Sequence, residues 1–420
     1  MEQNNLQSMK HIAKRYLFLF LLLPVSYTAR AQKQVYIPED LRSCVLESDT
    51  ARWSWRRSSQ TVNLVFFWER GFGNDLSSPP ALEGKPMQVD LRNLENRVEH
   101  FYRYFRDTLK FTKPGSKADR YKMMVMINYS LDGTAYGGTY DNFIGALWVA
   151  PNRIQDKKLN CLAHELGHSF QSQIMADSVG EAWGGSGFFE MASQWMLWRV
   201  NPDWLTDENY HFEAFKTLTH KAFLHHDNIY HSPYVLEYWA EQRGLTAIGE
   251  LFRQGRRGED PVMTYQRMYG LSQERFCDEM FDCYRRLINF DFDHARPHTR
   301  RYACTFGTPT SMLKDGWEQP AERIPEAYGF NAITLAATPK VTVQVRGEHL
   351  RYGLVGITTD GMSVYGTAGT KADGRVSLKV PRGKTWAHVY LVVMGAPEKH
   401  VRLRHGKHDE VKYNYRFRVI

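Results

Sequence analysis

The sequence predicts an α+β protein: a small mixed sheet beside a mainly helical half, then a C-terminal all-β sandwich. Three observations carry this. Between about residues 60 and 176, two short apolar runs, Val62–Trp68 and Tyr121–Tyr129, flank the amphipathic stretch Leu91–Leu109 in strand–helix–strand order. From about 177 to 305 the apolar residues fall mainly at helical spacing. From about 326 short alternating segments take over, separated by turn dipeptides such as Asp360-Gly361 and Asp373-Gly374.

The chain opens with basic residues (Lys10, Lys14, Arg15), an apolar run from Tyr16 to Val25 and the small-x-small triplet Ala29-Arg30-Ala31. That pattern is a secretory signal peptide over 1–31, cleaved before Gln32. The run is too short for a comfortable membrane span. The mature protein is therefore expected to be exported, to the periplasm, the cell surface or the medium, with no transmembrane segment after signal removal. Residues 33–60 hold little pattern beyond Trp53 and Trp55. Val62–Trp68 reads as a buried strand, and a Gly/Pro-rich loop follows to about Pro86. In Leu91–Leu109, Leu94, Val98, Phe101, Tyr102 and Phe105 share one helix face. Tyr121–Tyr129 is a second apolar strand, and Ile144–Ala150 a third, behind the glycine-rich Gly133–Tyr140.

The next helix holds the chemistry. Leu159, Leu162, Ala163, Leu166, Phe170 and Ile174 make an apolar stripe, Asp156 can cap its start, and within it stands His164-Glu165-x-x-His168. Histidines four apart project from the same side of a helix, one turn apart. Two neutral imidazoles so placed can both reach one Zn²⁺ at about 2.0–2.1 Å. Glu165, beside the first histidine, is then positioned as a general base toward a water that the metal activates. A catalytic zinc needs a third protein ligand. A histidine six residues after His168 is ruled out, because position 174 is Ile. Glu190, a lone carboxylate in the very apolar helical stretch Phe188–Val200, is the leading candidate, with Glu181 and Asp177 in the intervening loop as alternatives. Further helices are expected at about 210–224, 233–243, 246–254 and 272–289. Residues 306–325 read as a linker, and 326–420 as the sandwich.

The formal charge is +8 over 420 residues; four basic and one acidic residue lie in the first 31, so the remainder carries +5. Such a mild excess points to no nucleic-acid partner. The five cysteines (Cys44, Cys161, Cys277, Cys283, Cys304) include no C-x-x-C pair, which disfavours a thiolate metal site. Export permits a bridge from Cys304 to Cys277 or Cys283, with at least one thiol left free.

His164-Glu165-x-x-His168 followed by Glu190 on a second helix resembles the gluzincin metallopeptidases, the thermolysin-like clan. Phe189-Glu190-Met191-Ala192-Ser193 is similar to the stretch that carries their third zinc ligand. The resemblance covers roughly residues 60–290 and implies a zincin-like catalytic domain over 32–305. More weakly, the order of parts is similar to an uncharacterised family of secreted bacterial proteins. His-Glu-x-x-His-Ser-x-Gln, Tyr328-Gly329-Phe330-Asn331 and Val392-Val393-Met394-Gly395-Ala396-Pro397 carry that likeness. There are departures. The interval from His168 to Glu190 is longer than in thermolysin. Gln194 stands where the clan often has an Asp that orients a ligand histidine, and Gln171 and Gln173 are other polar residues nearby.

In enzymes with this helix the preceding strand often forms the sheet edge along which a peptide lies. Ile144–Ala150 is either that edge or an ordinary strand behind a glycine-rich hairpin. An oxyanion donor comes from the helical half in related enzymes. Tyr230 resembles the tyrosine of the aminopeptidase branch, with His231 and Tyr234 as rivals; each can equally be packing or a helix cap. The expected function is a secreted zinc peptidase, an endopeptidase acting on a protein, peptide or glycoprotein. An exopeptidase would need a fixed charge for a substrate terminus, for which Asp141 is a thin candidate. The alternative is a catalytically weak or inactive exported scaffold whose β-domain binds glycan or cell envelope; Trp386, Tyr390, Tyr365 and Tyr413 are either sugar-stacking rings or, for the most part, ordinary strand residues.

Overall fold

Three apolar runs become the interior strands of a five-stranded sheet. β1 (Ser58–Gln60), β2 (Leu64–Trp68), β3 (Met123–Ile127), β4 (Ala135–Tyr140) and β5 (Ile144–Val149) lie in the order β1-β2-β3-β5-β4. β2, β3 and β5 are parallel, and β1 and β4 are antiparallel edges. β2 and β3 are buried along their whole length, as a sheet covered on both faces requires. The structure is a computed structural model and describes residues 32–180, 183, 187–402 and 411–420. The expected signal peptide over 1–31 lies outside the described residues. Lys33–Ile420 form one compact unit. Among the described residues no helix is long and apolar enough to cross a membrane.

The crossover helix α1 (Leu91–Arg103) is capped by Asp90, whose Oδ1 accepts from Asn93 N at 3.0 Å. The expected helix to Leu109 continues past Arg103 as a π turn over Tyr104–Thr108. Its Tyr102 and Phe105 meet Phe170 of α2 (Asn160–Ala176) at ring distances of 5.1 and 5.8 Å. α3 (Phe188–Val200), α4 (Asn209–Leu218), α5 (Tyr234–Arg243), α6 (Ala247–Gln254), α7 (Pro261–Tyr269) and α8 (Gln273–Leu287) follow. α7 lies outside the expected helices, although its ends are marked: Asp260 Oδ1 accepts from Met263 N at 2.9 Å, Pro261 is the first helical residue and Gly270 closes it at φ 61°.

The C-terminal part is a sandwich of two antiparallel sheets. β8 (Phe330–Leu335), β10 (Leu350–Thr358), β11 (Ser363–Tyr365) and β13 (Trp386–Gly395) form one, in the order β11-β10-β13-β8. β6 (Thr310–Met312), β7 (Glu318–Pro320), β9 (Lys340–Arg346), β12 (Asp373–Lys379) and β14 (Arg416–Val419) form the other, in the order β12-β9-β14-β7-β6. The segment 306–325, expected as a linker, thus carries β6 and β7 and extends a sandwich sheet. Val343, Val345, Leu354, Leu391 and Phe417 fill the space between the sheets. The other face of the four-stranded sheet packs on the helices: Phe330 stacks on Tyr284 of α8 at 4.3 Å, and Arg351 Nε donates to Asp278 Oδ1 at 2.8 Å.

This double coverage corrects the glycan-stacking expectation. Trp386 and Tyr390 are buried, and the Tyr390 hydroxyl donates to the Cys304 carbonyl at 2.6 Å. Tyr365 is half-buried with its hydroxyl on Asp291 Oδ2 at 2.7 Å, and Tyr413 is half-buried against the sandwich core. Trp386 and Tyr390 are therefore the ordinary strand residues of the two readings, without the free ring face that a sugar platform needs. The proposed bridges from Cys304 are also absent: all five cysteines are free.

Candidate metal centre

α2 is anchored before it begins. Leu159 sits in the left-handed region at φ 54°, and the Asp156 carboxylate accepts from Lys158 N at 2.9 Å and Asn160 N at 3.1 Å. Two glycines then let its neighbours approach. A side chain at Gly137 of β4 would strike the Glu165 carbonyl oxygen, and a Cβ at Gly167 would lie 2.8 Å from Ser193 Oγ on α3. Close contact on both sides brings Glu190 of α3 over the histidines of α2. β4 and β1 are the edges of the sheet, and β5 is an interior strand behind the glycine-rich hairpin that it forms with Ala135–Tyr140.

His164 Nε2, His168 Nε2 and Glu190 Oε2 converge. The two nitrogens are 3.0 Å apart, and each is 3.1 Å from the carboxylate oxygen. Two buried glutamines decide where the imidazole protons sit. Gln194 Nε2 donates to the Tyr230 carbonyl at 3.1 Å, which turns its Oε1 to His164 Nδ1 at 3.0 Å. Gln171 Nε2 donates to the Phe189 carbonyl at 2.9 Å, which turns its Oε1 to His168 Nδ1 at 3.0 Å. An amide oxygen only accepts, so both Nδ1 atoms carry hydrogen, and a ring with no second proton aims a lone pair at Glu190. One proton can bridge one pair of such atoms; a cation satisfies all three. Among the described residues, this is the group of three His, Cys, Asp or Glu side chains that could hold a metal ion.

A second proton on a ring instead pairs it with the carboxylate. Burial works to raise the Glu190 pKa, yet the two imidazoles outweigh it and hold the carboxyl well below its usual range. Burial works against charge on His168, and the Glu190 carboxylate outweighs that and raises its pKa. The point between them attracts positive charge.

The trio opens into a cavity of about 720 Å³, lined also by Glu165, Tyr230, Tyr136, Arg153, Glu208 and His211. Glu165 shares the cavity without joining the cluster. The Tyr230 ring lies nearly parallel to that of His164, 6.1 Å away. Burial, with the Glu190 carboxylate nearby, pushes its hydroxyl up to about 12, so it is a donor at neutral pH. His231 does not line the cavity. Its Nδ1 faces His211 Nδ1 at 2.8 Å, and His211 reaches the centre only through Gln194, at 3.2 Å. Tyr234, the other rival, is fully buried packing.

Other candidates are engaged elsewhere. Asp177 accepts from Ser116 Oγ at 2.5 Å, Lys117 N at 3.0 Å and Gln173 Nε2 at 2.9 Å, and Glu181 lies outside the described residues. Gln173 Oε1 accepts from Gly145 N at 2.7 Å, so it buttresses β5 instead of orienting a histidine. Asp141 accepts from the Tyr36 hydroxyl at 2.7 Å and Glu39 N at 2.9 Å, tying down the N-terminal segment outside the cavity. Arg153, Glu208, Tyr210 and His211 were not foreseen as cleft residues, and no local sequence pattern marks them.

A family model described as "Family of unknown function (DUF6055)" matches residues 27–420. The chain belongs to that family. No curated protein matches it. Among solved structures, the catalytic module of the metalloprotease ZmpA from Clostridium perfringens aligns at 10% identity and a TM-score of 0.30. That alignment covers 81% of this chain and 66% of the module, just under two thirds of its length.

Proposed function

We propose that this member of a family of unknown function is a zinc-dependent peptidase with a zincin-like catalytic region, exported if residues 1–31 act as the signal their pattern suggests. One observation carries the reading: three lone-pair atoms, on two helices, meet at 3.0–3.1 Å with both imidazoles locked in the tautomer that a metal needs. His164, His168 and Glu190 would hold the ion. A His₂Glu set is a catalytic zinc set that leaves a position open. When bound, zinc would supply a Lewis acid that acidifies a water toward a pKa of about 7 and polarises a carbonyl.

The chain's own residues supply the rest. Glu165 takes a proton from the attacking water as the new C–O bond forms, and delivers it to the amine as the C–N bond breaks. Tyr230 donates a hydrogen bond to the oxygen on which negative charge develops. β4 offers an unpaired edge along which an extended peptide can lie in front of α2. The direct test is cleavage of an unfolded protein such as reduced casein, abolished by a chelator and restored by added zinc. We further propose that the division between the catalytic region and the sandwich falls near residue 305.

The supporting residues should have separable effects. Gln194→Ala should weaken zinc binding about 10–100-fold in a chelator competition, because His164 loses the acceptor that fixes its tautomer. Tyr230→Phe should lower kcat by about 10²–10³-fold with little change in KM, the signature of a donor used mainly in the transition state. His231→Ala should change kcat far less, and equal losses in the two variants would remove Tyr230 from the mechanism.

A further inference from the structure

Two charged side chains of the cleft, Arg153 and Glu165, make no ion pair with a described residue, and Arg153 is the cation of the two. Arg153 ends the short turn Pro151–Arg153 between β5 and α2; it is exposed and lines the cavity. The backbone there is held by Arg153 N donating to Ala150 O at 3.0 Å and Ala150 N donating to Thr134 O at 2.8 Å. Its guanidinium lies beside the Cys161 thiol, which burial pushes up to about 11 and so keeps neutral. Arg153 makes no ion pair with any described carboxylate.

Two of the cleft's three carboxylates are otherwise occupied, and the third, Glu165, makes no ion pair with Arg153. Glu190 faces the two histidines. Glu208 accepts from Trp204 Nε1 at 2.9 Å and lies 3.5 Å from His211 Nε2. Cys161 precedes Glu165 by four residues, so its backbone stands one helical turn, roughly 5.4 Å along the axis, before the general-base position, and the guanidinium lies beside its thiol. An extended peptide advances about 3.3 Å per residue, so a group held there belongs one to two residues from the bond being cut. The exposed tyrosines among the described residues, Tyr136, Tyr210 and Tyr230, all line this same cleft and give it amphipathic walls.

We propose that Arg153 makes the cleft a receptor for a substrate carboxylate, held one to two residues from the scissile bond. This rests on the peptidase reading and adds the substrate class. The planar fork of a guanidinium matches a carboxylate through two parallel N–H···O bonds. The carboxylate can be an Asp or Glu side chain or the substrate's own C-terminus.

Binding tests this without turnover. The full-length Glu165→Gln variant, loaded with zinc, is titrated by fluorescence anisotropy with labelled octapeptides. The set carries a single Glu moved along the chain, its Gln counterpart, and each as free acid or C-terminal amide. Peptides that carry the right carboxylate should bind about tenfold tighter than their neutral partners. Adding Arg153→Ala should erase that difference, and adding Arg153→Lys should restore part of it. Preference for Glu over Gln among amidated peptides assigns a side-chain carboxylate; preference for acid over amide among Gln peptides assigns the C-terminus. Equal affinity for all, or an undiminished preference after Arg153→Ala, overturns the proposal. Failure of the peptidase reading shows separately, as wild-type protein without chelator-sensitive cleavage of casein.

Discussion

Replacing Glu165 by Gln is expected to lower kcat/KM for peptide hydrolysis by about 10²–10⁴-fold while the protein keeps its metal. The substitution preserves shape and removes only the ability to take up a proton. Glu165 neighbours His164 in sequence and lines the cavity, yet the converging trio is complete without it. Its loss therefore touches proton transfer and leaves the metal ligands in place. The two quantities must be measured together on one preparation: steady-state cleavage, and zinc per chain. A variant that keeps both zinc and near wild-type activity would sink the assignment of the general base. A variant that loses both would make Glu165 a ligand or a structural group.

The second large effect is expected from Glu190→Ala. The carboxylate oxygen is 3.1 Å from each histidine Nε2, and no other described carboxylate joins the cluster. Without it two neutral imidazoles remain, with no anion to offset the charge of the ion. Zinc affinity should fall beyond the about 10–100-fold cost of losing an orienting partner, and hydrolysis should drop to background. Gln194 and Gln171 should still hold the two rings, so the unfolding transition of the metal-free variant should resemble that of metal-free wild type. Chelator competition and circular dichroism check the two parts. Unchanged affinity would place the third ligand elsewhere, with Glu181 the first residue to examine.

How far the sequence could be read depended on whether the signal was local. The i, i+4 histidines lie inside an apolar helical stripe, and Glu190 is an isolated carboxylate in an apolar helix; both are patterns within one element, and the structure brings these residues together. Gln194 drew notice through the resemblance, because it stands where the thermolysin-like clan often has an Asp, but its hydrogen bond to His164 needed the fold. Strand order was harder. Alternation marks a strand without naming its neighbour, so β5 could be read as the edge or as an ordinary strand behind a glycine-rich hairpin; the structure has the hairpin, with β4 at the edge. A side chain at Gly137 would strike the Glu165 carbonyl, so that glycine serves helix packing as well. The sandwich aromatics misled for a related reason. A strand of an ordinary sandwich has one wet face, but β10 and β13 are covered by helices on one side and a second sheet on the other. Arg153 comes to the cleft from the turn before α2, and Glu208 and Tyr210 from the start of α4, with no shared motif. The helix α7 was legible, from Asp260, Pro261 and Gly270, but nine residues with mixed polarity gave only a weak stripe.

The central claim is tested most directly by elemental analysis of the purified full-length protein, joined to X-ray absorption at the zinc edge. The account predicts one zinc per chain with two imidazole nitrogens and a carboxylate oxygen in its first coordination sphere, lost in the His164→Ala, His168→Ala double variant. A protein that takes up no zinc when the metal is supplied, or one whose zinc survives the loss of both histidines, would contradict it.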